Sequence, residues 1–244
     1  MKLTERVYVV GGGSLGYGLS SPYDCNVYAI DSEEGVLLID AGSGLGEDAI
    51  LNRLRDDGIM PERVNALVLT HAHSDHAGGA RGLKDQLGLL VMASKRTAAI
   101  VESGDEAQLG LEQARRDGIY PEQYQFKSCP VDRILREGDI ISRGAFRLRV
   151  LYVPGHSHDM IALFDDSSQT LFAADTVFSG GKLAIIDTED FSMKDYRSTI
   201  AKLSSLKVER LFAGHGEALL ERGGDAVRLA HERFEQEHPP LSIV

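Results

Sequence analysis

Residues 71 to 76 read His-Ala-His-Ser-Asp-His, directly after the apolar run 66–70. On a helix, residues two apart point about 200° away from one another. On a strand, His71, His73 and Asp75 share one face and His76 opposes them. Neither regular element gathers all four side chains, so this stretch predicts a loop wrapped around a metal ion. Gly78 and Gly79 follow and permit a tight entry into the next helix.

Three further polar groups stand just past β-like runs. The run 150–153 leads through Pro154-Gly155 to His156, 171–174 leads to Asp175, and 211–214 leads to His215. Ligand sites of open α/β sheets lie beyond the carboxyl ends of strands. Four strands therefore predict one rim that carries five imidazoles and two carboxylates. That set is enough for two metal ions and too large for one tetrahedral zinc.

Short apolar runs alternate with amphipathic segments along nearly the whole chain. The predicted strands are 7–10, 27–30, 36–40, 66–70, 90–93, 146–153, 160–164, 170–173 and 210–213; the predicted helices are 47–57, 80–87, 95–117, 194–206 and 225–237. Sheets covered by helices follow, an α/β or α+β layered fold in one domain, 1–244. Residues 95–126 form a charged, helical insertion that reads as a surface helix pair or as a lid or wall over the pocket. The GxGxxG run at 11–16 is declined as a dinucleotide site, because Tyr17-Gly18-Leu19-Ser20-Ser21-Pro22 opens no helix to hold a pyrophosphate.

Composition sets the partners. The 244 residues carry 26 Lys and Arg against 37 Asp and Glu, a net charge of −11. This opposes a broad basic surface for nucleic acid or anionic lipid, so no nucleic-acid partner and no membrane are expected. Cys25 and Cys129 are the only cysteines and form no CxxC pattern, which excludes a cysteine-rich zinc module and reads as two small buried thiols. The N-terminal residues fit no signal-peptide core, and no apolar run approaches the ~20 residues that span a bilayer; a cytoplasmic protein is expected.

The HxHxDH motif, Pro154-Gly155-His156, the mid-chain Asp175 and Gly214-His215-Gly216 stand in an order that resembles the metallo-β-lactamase-fold hydrolases, which include glyoxalase II, bacterial lactonases and RNase Z. Val36-Leu37-Leu38-Ile39-Asp40-Ala41-Gly42 is similar to the family's strand ending in Asp-X-Gly. The resemblance implies an αββα sandwich, four layers with two mixed sheets between helices. It implies that His71, His73 and His156 hold one metal, that Asp75, His76 and His215 hold a second, and that Asp175 bridges them. Asp40 is expected to orient a ligand imidazole through its other nitrogen. Five N and two O donors suit two Zn ions, and Fe or Mn also accept this set.

What the resemblance implies chemically is a hydrolase that attacks an ester, thioester or lactone of a small molecule through a hydroxide bridging the metals, with Asp75 orienting the nucleophile. Dinuclear β-lactamases of the family place Cys or Ser where Asp175 stands, so a true β-lactamase is not expected. Asp175-Thr176-Val177-Phe178 resembles the DTLF segment of glyoxalase II, whereas only about 28 residues follow Gly216, room for one helix rather than a glutathione-binding extension. Phe178 stands where many lactonases of the family carry a Tyr that contacts the substrate carbonyl. Lys182 and Tyr196 follow at places where the glyoxalase II-like branch handles substrate, so the resemblance implies all three as substrate-binding residues. A mononuclear-iron persulfide dioxygenase and a phosphodiesterase of the same fold are the alternatives, and a homodimer is compatible with the sequence.

Overall fold

The computed structural model describes all residues from Met1 to Val244, and the chain divides into two compact units, Met1–Leu135 and Arg136–Val244. In the first unit the elements run β1 (Val7–Gly11), β2 (Val27–Ser32), β3 (Gly35–Ile39), α1 (Glu47–Asp56), β4 (Val64–Leu69), α2 (Ser74–Ala77), α3 (Ala80–Leu87), β5 (Leu90–Ser94), α4 (Lys95–Ser103), α5 (Leu111–Arg116) and β6 (Arg133–Leu135). The six strands form one sheet in the order β1-β2-β3-β4-β5-β6. The first three pair antiparallel, and β3 to β6 pair parallel.

Parallel pairing of β3 with β4 sends their carboxyl ends out of the same sheet edge. Asp40, just past β3, therefore lies beside Thr70 and His71, just past β4, and the Asp40 N–H continues the ladder to the Val68 carbonyl (2.8 Å). The buried pattern of β3 is unbroken, as expected of a strand covered on both faces. Its Val36 and Leu38 pack with Leu67, Leu69, Val91, Ile50 and Leu54 in the core of this unit.

The second unit runs β7 (Ile140–Arg143), β8 (Phe146–Tyr152), β9 (Ile161–Asp165), β10 (Thr170–Ala174), α6 (Met193–Leu203), β11 (Arg210–Ala213) and α7 (Gly223–Glu235). Its sheet has the order β11-β10-β9-β8-β7, parallel between β10 and β11 and antiparallel elsewhere. Two antiparallel steps make β8 run the same way as β10, so β8, β10 and β11 all end at one edge. Those ends lead to His156, Asp175 and His215. Its own core joins Leu151, Val153, Phe164, Leu171, Tyr196, Ile200 and Phe234.

Nine predicted strands appear within one or two residues of their expected places, and β6 and β7 are additional. Both are short: β6 has three residues and β7 four, too few to show a period. The helix expected over 95–117 is two helices. Ser94 caps the first, accepting from the Thr97 N–H (3.1 Å), and Gly104 ends it in the left-handed conformation (φ 63°). No helix follows the Gly-rich turn at 11–16, which is instead pinned by Gly13 N–H to the Asp24 carbonyl and Ser14 N–H to the Pro22 carbonyl. No helix of the chain is long and apolar enough to cross a membrane.

Gly155, in the turn before His156, adopts φ 151°, and a Cβ there would stand 2.6 Å from the Tyr196 Cα. Backbone cannot yield as a side-chain tip can, so Gly155→Ala is expected to destabilise the protein by about 2 kcal/mol or more. A urea unfolding series checks this; an unchanged midpoint contradicts the packing.

Candidate metal centre

In the first unit the candidate ligands stand at the ends of β3 and β4. His71 and His73 follow β4 in extended chain, and Ser74 to Ala77 then turn into the short helix α2, so the motif is part extended and part helical rather than all loop. This change of conformation gathers the rings. The His71 centroid lies 4.6 Å from that of His73 and 4.1 Å from that of His76. His71 and His76 are fully buried, whereas Asp75 is partly exposed.

Asp40 fixes how these rings present themselves. Its Oδ1 accepts the Thr70 N–H (2.8 Å), and its Oδ2 accepts the Thr70 hydroxyl (2.8 Å) and His76 Nδ1 (2.9 Å). A carboxylate only accepts, so His76 carries its proton on Nδ1. Thr70 gives its proton to Asp40, so its oxygen accepts from His71 Nδ1 at 3.0 Å. Both rings therefore turn a lone pair outward on Nε2, the tautomer a metal requires. Asp40 itself sits at φ 64°, a conformation uncommon outside glycine, and its three accepted bonds hold it there.

In the second unit, His156 donates from Nδ1 to the Ala184 carbonyl (3.0 Å), which again leaves the lone pair on Nε2. Its loop is tied to α6 by the Thr199 hydroxyl on the Pro154 carbonyl (2.6 Å) and the Ser192 N–H on the Gly155 carbonyl (2.8 Å). Asp175 is buried between the two imidazoles of this unit, its Oδ2 3.6 Å from His156 Nε2 and 3.3 Å from His215 Nε2. Ala174 before it takes φ 48°, and its carbonyl accepts the Gly214 N–H (2.8 Å), which joins the ends of β10 and β11.

These spacings test whether metal fits. Two ligand atoms about 2.1 Å from one tetrahedral ion stand roughly 3.4 Å apart. His76 Nε2 lies 3.4 Å from Asp75 Oδ2, and the two imidazole–Asp175 spacings are 3.3 and 3.6 Å. They exceed the usual N–H···O length and match ligands that share an ion. Cys25 also lies within 4.8 Å of ligand atoms of Asp40 and His76, but that trio is a poor metal site. His76 Nδ1 is bonded to Asp40, and burial pushes the Cys25 thiol far above the ordinary thiol range, so no thiolate is offered.

Of the three residues expected at the substrate, Phe178 is buried with its ring 6.4 Å from that of His215. Lys182 is exposed, and its carbonyl accepts the Phe178 N–H (2.9 Å). Tyr196 corrects the expectation: it is fully buried, donates to the Asp175 carbonyl (2.6 Å) and accepts the Ala184 N–H (3.2 Å). It braces the two peptide groups that serve Asp175 and His156 and has no face for a substrate. His158 points to Asp195 at 4.0 Å, and His231 and His238 lie on or just beyond α7.

Sequence reasoning missed Thr70, whose place between strand end and His71 was the available signal. It also missed Asp24, which accepts the Ser21 N–H (3.0 Å) and the Ser43 N–H (2.7 Å) and so ties the loop after β1 to the loop after β3.

A family model for the metallo-beta-lactamase superfamily matches residues 21–215. An acyl-coenzyme A thioesterase MBLAC2 from Gallus gallus is 30% identical over 208 residues, 78% of this chain and 72% of that protein. A hydroxyacylglutathione hydrolase GloC from Haemophilus influenzae is 28% identical over 193 residues, 76% of this chain and 82% of that one. Among solved structures, a metallo-beta-lactamase of Cronobacter sakazakii with a HARLDQ motif superposes with a TM-score of 0.73 at 21% identity, covering 97% of this chain and 96% of that one. The chain belongs to the metallo-beta-lactamase superfamily, as one of its hydrolases. The full-length likeness shows the fold, two mixed sheets flanked by helices, the αββα class that the motifs imply.

Replacing Asp40 by Ala removes the acceptor that sets two ring tautomers, and a loss of about 10- to 100-fold in metal affinity is expected. Competition with a chromophoric chelator measures it; wild-type affinity would contradict the tautomer argument. The thiols provide a second check. Burial raises Cys25 far above its usual range and Cys129 to about 11, so neither is expected to react with iodoacetamide in folded protein at pH 8, and both react after unfolding. Rapid labelling of the folded chain would count against the buried placement.

Proposed function

We propose that the protein hydrolyses thioesters of small acyl molecules, with His71, His73 and His156 holding one divalent ion, Asp75, His76 and His215 a second, and Asp175 shared between them. The observation that carries this reading is the donor chemistry: three imidazoles whose Nδ1 is taken by an internal acceptor, and carboxylates at metal-sharing distance from their Nε2. The family match runs through both units and contains all seven residues. Two of the relatives bear thioesterase and hydroxyacylglutathione hydrolase names, and both names describe cleavage of a C–S acyl bond.

When bound, two divalent ions, zinc by preference for this donor set, supply a nucleophile from water at neutral pH and positive charge at the carbonyl oxygen. The residues do the rest. Asp75, partly exposed beside His76, accepts a hydrogen bond from the attacking water and orients it. The water oxygen bonds to the acyl carbon, the C–S bond breaks, and the thiolate leaves to take up a proton. Asp175 is held rigid by Tyr196 at its carbonyl, and His156 by Ala184, so little reorganisation is needed during reaction. Asp75 and Asp175 offset only part of the charge of two divalent ions, which leaves the site attractive to an anionic thiol carrier although the chain carries −11. We place the protein in the cytoplasm, acting on small molecules rather than nucleic acid.

The test is a panel of a hydroxyacyl-glutathione, an acyl-coenzyme A, a lactone and a bis-aryl phosphate. Thioester turnover is expected to exceed the rest, and Asp175→Ala to lower it at least 100-fold together with metal content. Phosphodiester cleavage alone, or full activity of the variant, would overturn the reading.

A further inference from the structure

The insertion over 95–126 is a fixed wall. Leu109, Leu111, Tyr120, Tyr124 and Phe126 are buried in the core of the first unit, and Arg115 Nε donates to the Tyr124 carbonyl (2.9 Å). The wall carries Tyr120 between two other tyrosines, its ring 4.8 Å from Tyr124 in a stack and 5.7 Å from Tyr23.

Both neighbours are fastened to the turn that bears Asp75. The Tyr124 hydroxyl donates to the Ser43 carbonyl (2.6 Å) and lies against Gly78, where a Cβ would stand 2.5 Å from it. Gly78 closes α2, three residues after Asp75. On the other side, Tyr23 precedes Cys25 by two residues, and the Cys25 N–H donates to the Asp75 carbonyl (3.2 Å).

Tyr120 is 9% exposed, and its hydroxyl, which bonds to no group of the chain, is not among the fully buried polar atoms and so keeps contact with solvent. A phenol whose ring is held in the core and whose hydroxyl alone reaches the surface is a placed donor for a ligand. Burial first, and then the Asp75 carboxylate, hold it well above the usual phenol range, so it stays an O–H donor at any working pH.

We propose that the Tyr120 hydroxyl is a substrate-contacting donor beside the Asp75 turn, given to the thioester carbonyl oxygen. This role rests on the thioesterase reading. A donor to that oxygen gains strength as negative charge builds on it during attack, so its removal acts on kcat as well as on KM.

Tyr120→Phe keeps the ring and the stack. It is expected to lower kcat/KM on the thioester about 10- to 100-fold, with metal content and unfolding midpoint unchanged. Calorimetry adds a readout free of turnover. A ketone analogue, with methylene in place of sulfur, should bind the variant more weakly than wild type. A thioether analogue that lacks the carbonyl should bind both equally. Wild-type kcat/KM and analogue affinity in the variant would overturn the role while leaving the thioesterase reading intact. A wild-type protein inactive on every thioester would remove the reading itself, and this role with it.

Discussion

The carboxylate of Asp40 is the interaction on which the site depends. It accepts from the Thr70 backbone, the Thr70 hydroxyl and His76 Nδ1, and through Thr70 it also decides which nitrogen of His71 bears the proton. One buried acid thus sets the tautomers of two fully buried imidazoles. Hydrogen bonds to a charged acceptor are stronger than neutral ones, each about 1.5–3 kcal/mol. Their sum exceeds the roughly 1–3 kcal/mol that a left-handed non-glycine residue costs.

The second unit solves the same problem by other means. Backbone carbonyl and phenol take the place of the carboxylate: Ala184 sets the His156 tautomer, and Tyr196 holds both the Ala184 N–H and the Asp175 carbonyl. A strained residue stands here too, Ala174 directly before Asp175, and its conformation is offset by the bond from Gly214. Strand direction makes both arrangements available. Parallel β3 and β4 bring Asp40 to Thr70, and parallel β10 and β11 bring Asp175 to His215, so ligands distant in sequence meet at strand ends.

Much of this was legible in the sequence because ligand residues followed apolar runs, and a run of five buried residues such as β3 or β10 announces itself by composition alone. The splitting of His71–His76 into an extended and a helical part could not be read, since the turn is held partly by a bond from the Ala41 N–H to the His76 carbonyl, 35 residues away. Tyr196 was misread for a related reason. A tyrosine on an amphipathic helix looks the same whether its hydroxyl faces a substrate or a buried carbonyl, and only the tertiary structure separates the two. Tyr120 carried no periodic signal, for it lies in the irregular segment after α5.

The chemistry of the site rests on the donor set. Elemental analysis of protein purified without chelator, joined to X-ray absorption at the metal edge, tests it most directly. Two ions per chain with nitrogen and oxygen neighbours and no sulfur are predicted, because Asp40 and burial keep Cys25 out of the coordination shell. A single ion per chain, or a sulfur ligand at bonding distance, would contradict it.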